Sequence, residues 1–276
     1  MVKRFCTGTT RIRLTAFVCV LLCLFEALRA SQLAAQTPAR PRQLQVAAAA
    51  DLSFAMGEIL KEFQIVHPDI LVRVSYGSSG NFFSQLSNHA PFDMFFSADT
   101  SYPRRLVEQG ATLDGAAFPY AVGRLVLWAP DTSAFDLKRM GIEVLKSETI
   151  RHVAIANPIH APYGRAAEAY LKSTGLYDSV RSKLVYGESV AQALQFVQSG
   201  AAEIGLIACA LAHAPEVSNH GQFWEVPHDK YPRMEQSGII LKWTKDPAAA
   251  ADLKSFILGG KAREILLRFG FYLPED

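Results

Sequence analysis

Apolar and polar positions alternate between two periods along residues 44–273. Short runs of apolar and β-branched residues give way to longer stretches with apolar residues three and four apart, the patterns of buried strands and amphipathic helices. The runs 44–49, 71–76, 94–97, 124–129, 153–157, 184–186, 203–207, 223–227 and 238–243 predict strands. The stretches 53–67, 81–87, 102–109, 163–173, 190–199, 247–258 and 261–269 predict helices. This alternation predicts an α/β fold built on mostly parallel sheets covered on both faces.

Two stretches, 118–124 and 231–238, carry Pro and Gly between a loop and a strand and read as crossings between lobes. They divide the chain into lobe 1, residues 44–121 plus 239–276, and lobe 2, residues 122–238. A ligand is then expected in the cleft, at the carboxyl ends of strands from both lobes.

The first 43 residues do not share this pattern. Lys3, Arg4, Arg11 and Arg13 precede an apolar run from Leu14 to Phe25, and small residues follow at Ala30, Ser31, Ala34 and Ala35. That layout predicts a cleaved secretory signal over residues 1–35, with residues 36–43 as a leader. The alternative is an uncleaved anchor, but the run is short for a membrane span. Cys23 follows Leu22, a poor match to a lipoprotein cleavage box, so release into a periplasm is expected.

Removing residues 1–35 changes two readings. It takes five basic residues and one acidic one, so a net charge of +2 becomes −2, and no basic stripe remains to suggest nucleic acid. It also takes Cys6, Cys19 and Cys23. Cys209 alone remains, in the apolar run 204–211, which excludes a disulfide within one chain and predicts a buried small hydrophobe.

The candidate chemistry sits at strand-to-helix junctions. Ala47-Ala48-Ala49-Ala50-Asp51-Leu52-Ser53 and Tyr76-Gly77-Ser78-Ser79-Gly80-Asn81 each end an apolar run in small and hydroxyl residues before a helical pattern begins. Ala161-Pro162-Tyr163-Gly164 and Gly187-Glu188-Ser189-Val190 do the same in the second lobe, with Ser189 suited to cap its helix. Helix N-termini carry unpaired N–H groups and partial positive charge, so four of them converging on a cleft would hold an anion with dipoles rather than salt bridges.

At these junctions the chain resembles the periplasmic molybdate-binding proteins that serve ABC transporters. The resemblance runs from Leu44 to Leu273. It is carried by Ala48-Ala49-Ala50-Asp51-Leu52 with Ala55-Met56, by Gly77-Ser78-Ser79-Gly80, by the run from Ala90-Pro91-Phe92-Asp93 to Ser97-Ala98-Asp99, and by Arg268-Phe269-Gly270-Phe271. It implies a periplasmic-binding-protein type II fold, two lobes each with a central mostly parallel sheet and a ligand cleft between them. It further implies a binding protein, not an enzyme, without cofactor, acting as a monomer on molybdate or tungstate and meeting a membrane permease transiently. No metal is implied beyond that of the oxyanion itself.

Carried over by position, the resemblance implies ligand contacts at Asp51 and Ser79 from lobe 1, and at Tyr163 and the Val190 N–H from lobe 2. Many members carry a tyrosine where this chain has Ala208. Others carry it at the position of Tyr163, the pattern followed here. Asp51 departs from the family, which usually has serine or asparagine there, because an ionised aspartate only accepts hydrogen bonds. Three outcomes stay open: the carboxylate caps its own helix, it is protonated and donates, or the ligand is a cationic complex or metal centre.

The residues themselves leave three other functions open. Sulfate or a related oxyanion would suit the same cradle. A metal carrier would use Asp51, Tyr163 and a histidine. A hydrolase would pair Ser78 or Ser79 with His67, His89, His152 or His160, but the chain has no Gly-x-Ser-x-Gly elbow. His213 and His220 lie seven apart in a loop without carboxylates at ligand spacing.

Overall fold

The computed structural model describes residues 42–275. The signal and most of the leader expected from the sequence therefore lie outside the described residues. Ten strands form two five-stranded sheets there. The first contains β1 (Arg42–Ala49), β2 (Ile70–Gly77), β3 (Met94–Ser97), β4 (Phe118–Gly123) and β10 (Met234–Ile240). The second contains β5 (Leu125–Pro130), β6 (Val153–Ala156), β7 (Leu184–Gly187), β8 (Ile204–Ala208) and β9 (Gly221–Glu225).

The two sheets repeat one plan. The first has the order β2-β1-β3-β10-β4 and the second β7-β6-β8-β5-β9. Three strands run parallel in each, and the fourth runs antiparallel. The antiparallel members, β10 and β5, are the strands by which the chain enters each sheet after leaving the other.

The helices of eight residues or more are α1 (Ser53–Val66), α2 (Ser79–Ser87), α3 (Ser101–Glu108), α4 (Pro162–Ser173), α5 (Val190–Gln198), α6 (Pro247–Ile257) and α7 (Gly260–Arg268). Helix α1 buries Ala55, Met56, Ile59 and Phe63, the stripe that the period required, and stops at His67 before Pro68. Every residue of β3, β6 and β8 is buried. Such strands are apolar throughout because both faces are covered. One core cluster joins residues of both sheets with α1 and α4 to α7, and a second lies between the first sheet and α2 and α3.

Three boundaries differ from the sequence expectation. Arg42 and Gln43, read as leader, pair with Ile70 and Leu71 as the start of β1. Residues 118–123, read as a crossing, form β4 at the sheet edge, where Pro119 is tolerated because an edge strand need not donate on both sides. Residues 234–237 likewise extend β10, so the chain leaves the first sheet after Gly123 and rejoins it at Met234.

The run from Ala90 to Asp99 has a structural explanation. The Asp93 carboxylate accepts from Gln45 N at 2.7 Å and from Thr244 Oγ1 at 2.9 Å, tying β1 to the loop after β10. Asp99 accepts from Tyr102 N at 3.1 Å, within the first turn of α3, and pairs with Arg165 of α4. Cys209 is buried and is the only cysteine among the described residues. Burial pushes its thiol up to about 12, as expected of an inert small hydrophobe.

Candidate ligand-binding site

The loops at the carboxyl ends of β1, β2, β3, β6 and β7 meet where the two sheets face each other. Gly80 N, at the start of α2, donates to His160 O, before α4, at 2.8 Å. Asn81 Nδ2 donates to Glu188 Oε2 at 3.3 Å, and Arg165 bridges to Asp99 and to the Tyr102 hydroxyl. Gly80 has no room for a side chain. A Cβ there would lie 2.6 Å from both His160 O and the Tyr102 hydroxyl.

Inside this contact lies a pocket with about 190 Å³ of atom-free space, part of it open to solvent. It is tight, with about 10 Å³ of room for the centre of a water-sized body. Asp51, Ser79, Tyr163 and Val190, the four positions singled out from the sequence, all line it. None of the residues lining it is Lys, Arg or His, so any anion held there must be met by N–H and O–H groups.

The sequence explains how each donor comes to point inward. Ser78, not Ser79, caps α2, its hydroxyl accepting from Asn81 N at 3.4 Å. Ser79 is thereby released to the pocket. Its Oγ accepts from Ala98 N at 3.0 Å, which occupies a lone pair and leaves the hydroxyl proton for another acceptor. Ser189 caps α5 through Gln192 N, which places the Val190 N–H at the first helical position, without an intrahelical acceptor. Pro162 opens α4 at a position that needs no N–H, and it sets Tyr163 at the cleft face of the first turn.

Asp51 lies in a 3-10 turn, Ala50–Leu52, between β1 and α1. It does not cap its own helix, the first of the outcomes left open by the sequence, since α1 has no side-chain cap at its N-terminus. Instead its Oδ2 accepts from Gln236 Nε2 at 2.6 Å. The Tyr120 hydroxyl lies 2.7 Å from Gln236 Oε1 and 3.0 Å from Ser97 O. The phenol has a single proton for these two oxygens, and the amide stands with its oxygen towards Tyr120 and its nitrogen towards Asp51.

Two buried atoms remain without a hydrogen-bond partner here, Asp51 Oδ1 and the Tyr163 hydroxyl. Asp51 is 1 % exposed and Tyr163 2 % exposed, so water does not readily serve either. Burial pushes the Asp51 carboxyl up to about 6, against the opposing pull of Gln236, Tyr163 and the Asp51 and Leu52 N–H groups. The Tyr163 hydroxyl is held well above its ordinary range, first by burial and then by the Asp51 charge.

Gln236, Tyr120 and Gly123 were not singled out from the sequence. All three lie in the Pro- and Gly-containing stretches read as crossings, where close backbone approach is the available signal. A Cβ on Gly123 would fall 2.5 Å from the Tyr163 hydroxyl and 2.7 Å from Gln236 Nε2. The pairing of β10 with β4 slips between Gln236 and Ser237, whose partners are Ala121 and Pro119. Such a bulge re-aims a side chain, and here Gln236 points at Asp51.

The hydrolase alternative finds no support, because Ser78 and Ser79 bond to backbone N–H groups and neither pairs with a histidine. Among the described residues no group of three or more His, Cys, Asp or Glu side chains is disposed to hold a metal ion.

Comparison with known proteins agrees with this architecture. The family profile of bacterial extracellular solute-binding proteins matches residues 44–272. The molybdate-binding protein ModA of Azotobacter vinelandii is 39% identical over 235 residues, covering 85% of this chain and 92% of its own. ModA of Rhodobacter capsulatus is 39% identical over 200 residues, covering 72% and 77%. The solved periplasmic molybdate-binding protein of A. vinelandii superposes with a TM-score of 0.78 at 35% identity, over 84% of this chain and 99% of that one.

Proposed function

We propose, from the premise that this chain belongs to the bacterial extracellular solute-binding proteins, that it captures molybdate, and with it tungstate, in the periplasm and delivers it to an ABC transporter permease. The family binds solutes rather than transforming them. The reading that residues 1–35 are a cleaved signal fits this location.

One observation carries the reading: four separate elements bring Asp51, Ser79, Tyr163 and Val190 to a small pocket without a single basic side chain. A tetrahedral oxyanion needs several donors at short range and no fixed cation, and helix N-termini with hydroxyls supply that. Each lobe offers half of the donors. The ligand joins the halves, and the contacts of Gly80 with His160 and of Asp99 with Arg165 close around it. The ligand favours the closed form only through its greater affinity for that form.

The test is calorimetric titration of the protein with sodium molybdate and then sodium sulfate, after exhaustive dialysis. Tight one-to-one binding of molybdate with little response to sulfate is expected. Silence towards molybdate overturns the reading, and a sulfate response as strong as that to molybdate replaces it with a general oxyanion carrier.

A further inference from the structure

The least expected group in the pocket is a carboxyl, because a carboxylate and an oxyanion repel each other at contact distance. Three features show how the fold accommodates it. Asp51 Oδ2 is already satisfied by the Gln236 amide, whose oxygen lies against the Tyr120 hydroxyl. Oδ1 is buried without a hydrogen-bond partner, on a residue that lines the pocket. No positive charge is placed to compensate an ionised form.

The third point holds for every element packed around Asp51. Helix α4 presents the Tyr163 hydroxyl, β4 the Tyr120 hydroxyl and β10 the Gln236 amide. Helix α5 presents Val190, while β2 and the start of α2 present Gly77, Ser78 and Ser79. Further groups felt there are Asp99, which acts on Tyr120, and Cys209 and Tyr231, which act on Tyr163. The nearby cations are engaged elsewhere, Arg165 with Asp99 and Arg124 with Glu225.

We propose that Asp51 enters the ligand-bound state as a neutral carboxylic acid, its Oδ1–H joining the donors that hold the oxyanion, so that each binding event takes up a proton at this residue. The inference rests on the oxyanion-binding reading and identifies the charge state that reading requires. The proton comes from solvent. It adds to Oδ1 of the carboxylate, and the new O–H points into the pocket. Neutral Asp51 then does the work of a serine or asparagine donor. In the free protein the burial of Asp51 already brings its ionisation close to neutral pH, so little has to change for the proton to be held.

Linkage fixes the consequences. Well above the free-state ionisation, at pH 8, molybdate binding should take up about one proton, and affinity should fall about tenfold per pH unit. Near pH 5 Asp51 is already protonated and the uptake should vanish. The test is calorimetric titration of the protein with sodium molybdate in buffers of different ionisation enthalpy, at pH 5 and pH 8, alongside Asp51→Asn and Asp51→Ser. Both variants carry a permanent donor and should bind with no proton uptake and a flat pH profile. Having two of them guards against one that folds poorly. Tight wild-type binding at pH 8 without proton uptake overturns the proposal while leaving the oxyanion reading intact. Absence of molybdate binding by wild type and variants alike overturns the oxyanion reading, and the proposal with it.

Discussion

Gln236 and Asp51 are separated by 185 residues, yet the amide Nε2 of one donates to Oδ2 of the other at 2.6 Å. The bond joins the strand that re-enters the first sheet to the turn that follows β1. Gln236→Leu would leave Oδ2 buried without a donor. A loss of about 1–3 kcal/mol in ligand-free stability is expected, the cost of an unsatisfied buried polar group. Urea unfolding measures it, and an unchanged midpoint would mean that the bond is not formed in solution.

Ser79 and Tyr163 offer hydroxyls to the same pocket but differ in what holds them. Ser79→Ala should weaken molybdate binding by about 1.5–3 kcal/mol, the range for a hydrogen bond to a charged group. Tyr163→Phe should weaken it similarly. The Tyr163 hydroxyl has no hydrogen bond of good geometry in this structure but does help to hold the Asp51 charge, so the variant should lose about 1 kcal/mol of ligand-free stability or less. Unchanged affinity in either variant removes that residue from the site.

Gly80 lies at a close contact between the two lobes. Gly80→Ala places a methyl group 2.6 Å from a backbone oxygen of the opposite lobe, so the closed form must give way. Affinity should drop by about 1–3 kcal/mol, the usual cost of overpacking. The Tyr102 hydroxyl of the same lobe lies equally close to that methyl group, so the melting temperature of the ligand-free protein should fall modestly as well. A variant with wild-type affinity would show that closure does not bring these atoms together.

Asp51 should also govern the pH dependence of the ligand-free fold. Its carboxyl lies at about 6 in the folded protein, against an ordinary value of 3.8. A raised acid favours the protonated fold. That stabilisation is complete below about pH 3.8 and is lost as the pH rises through 6, a difference of about 3 kcal/mol. Asp51→Asn should therefore match wild type near pH 4 and exceed it by about that amount above pH 7. A stability difference that stays flat across this range would place Asp51 in contact with water.

Much of this was legible in the order of residues. Helix α1 follows from the spacing of Ala55, Met56, Ile59 and Phe63. The continuous apolar strands β3, β6 and β8 follow from burial on both faces. Strand β4 was hidden by Pro119, which reads as a breaker unless the strand lies at an edge. The role of Ser78 as the cap, with Ser79 left to the pocket, turned on a one-residue shift that propensity does not resolve.

The sequence by itself determined the alternation of strands and helices and the positions of the junctions, because these depend on local periodicity and residue chemistry. Only the tertiary structure decided what Asp51 touches. Gln236 donates to it, the Tyr120 hydroxyl meets the other end of that amide and Tyr163 shares its buried surroundings; the three lie on different elements, and a bulge where β10 pairs with β4 turns Gln236 towards it. The ionisation of a buried carboxyl depends on the groups that enclose it, and those are set by packing between residues far apart in the chain.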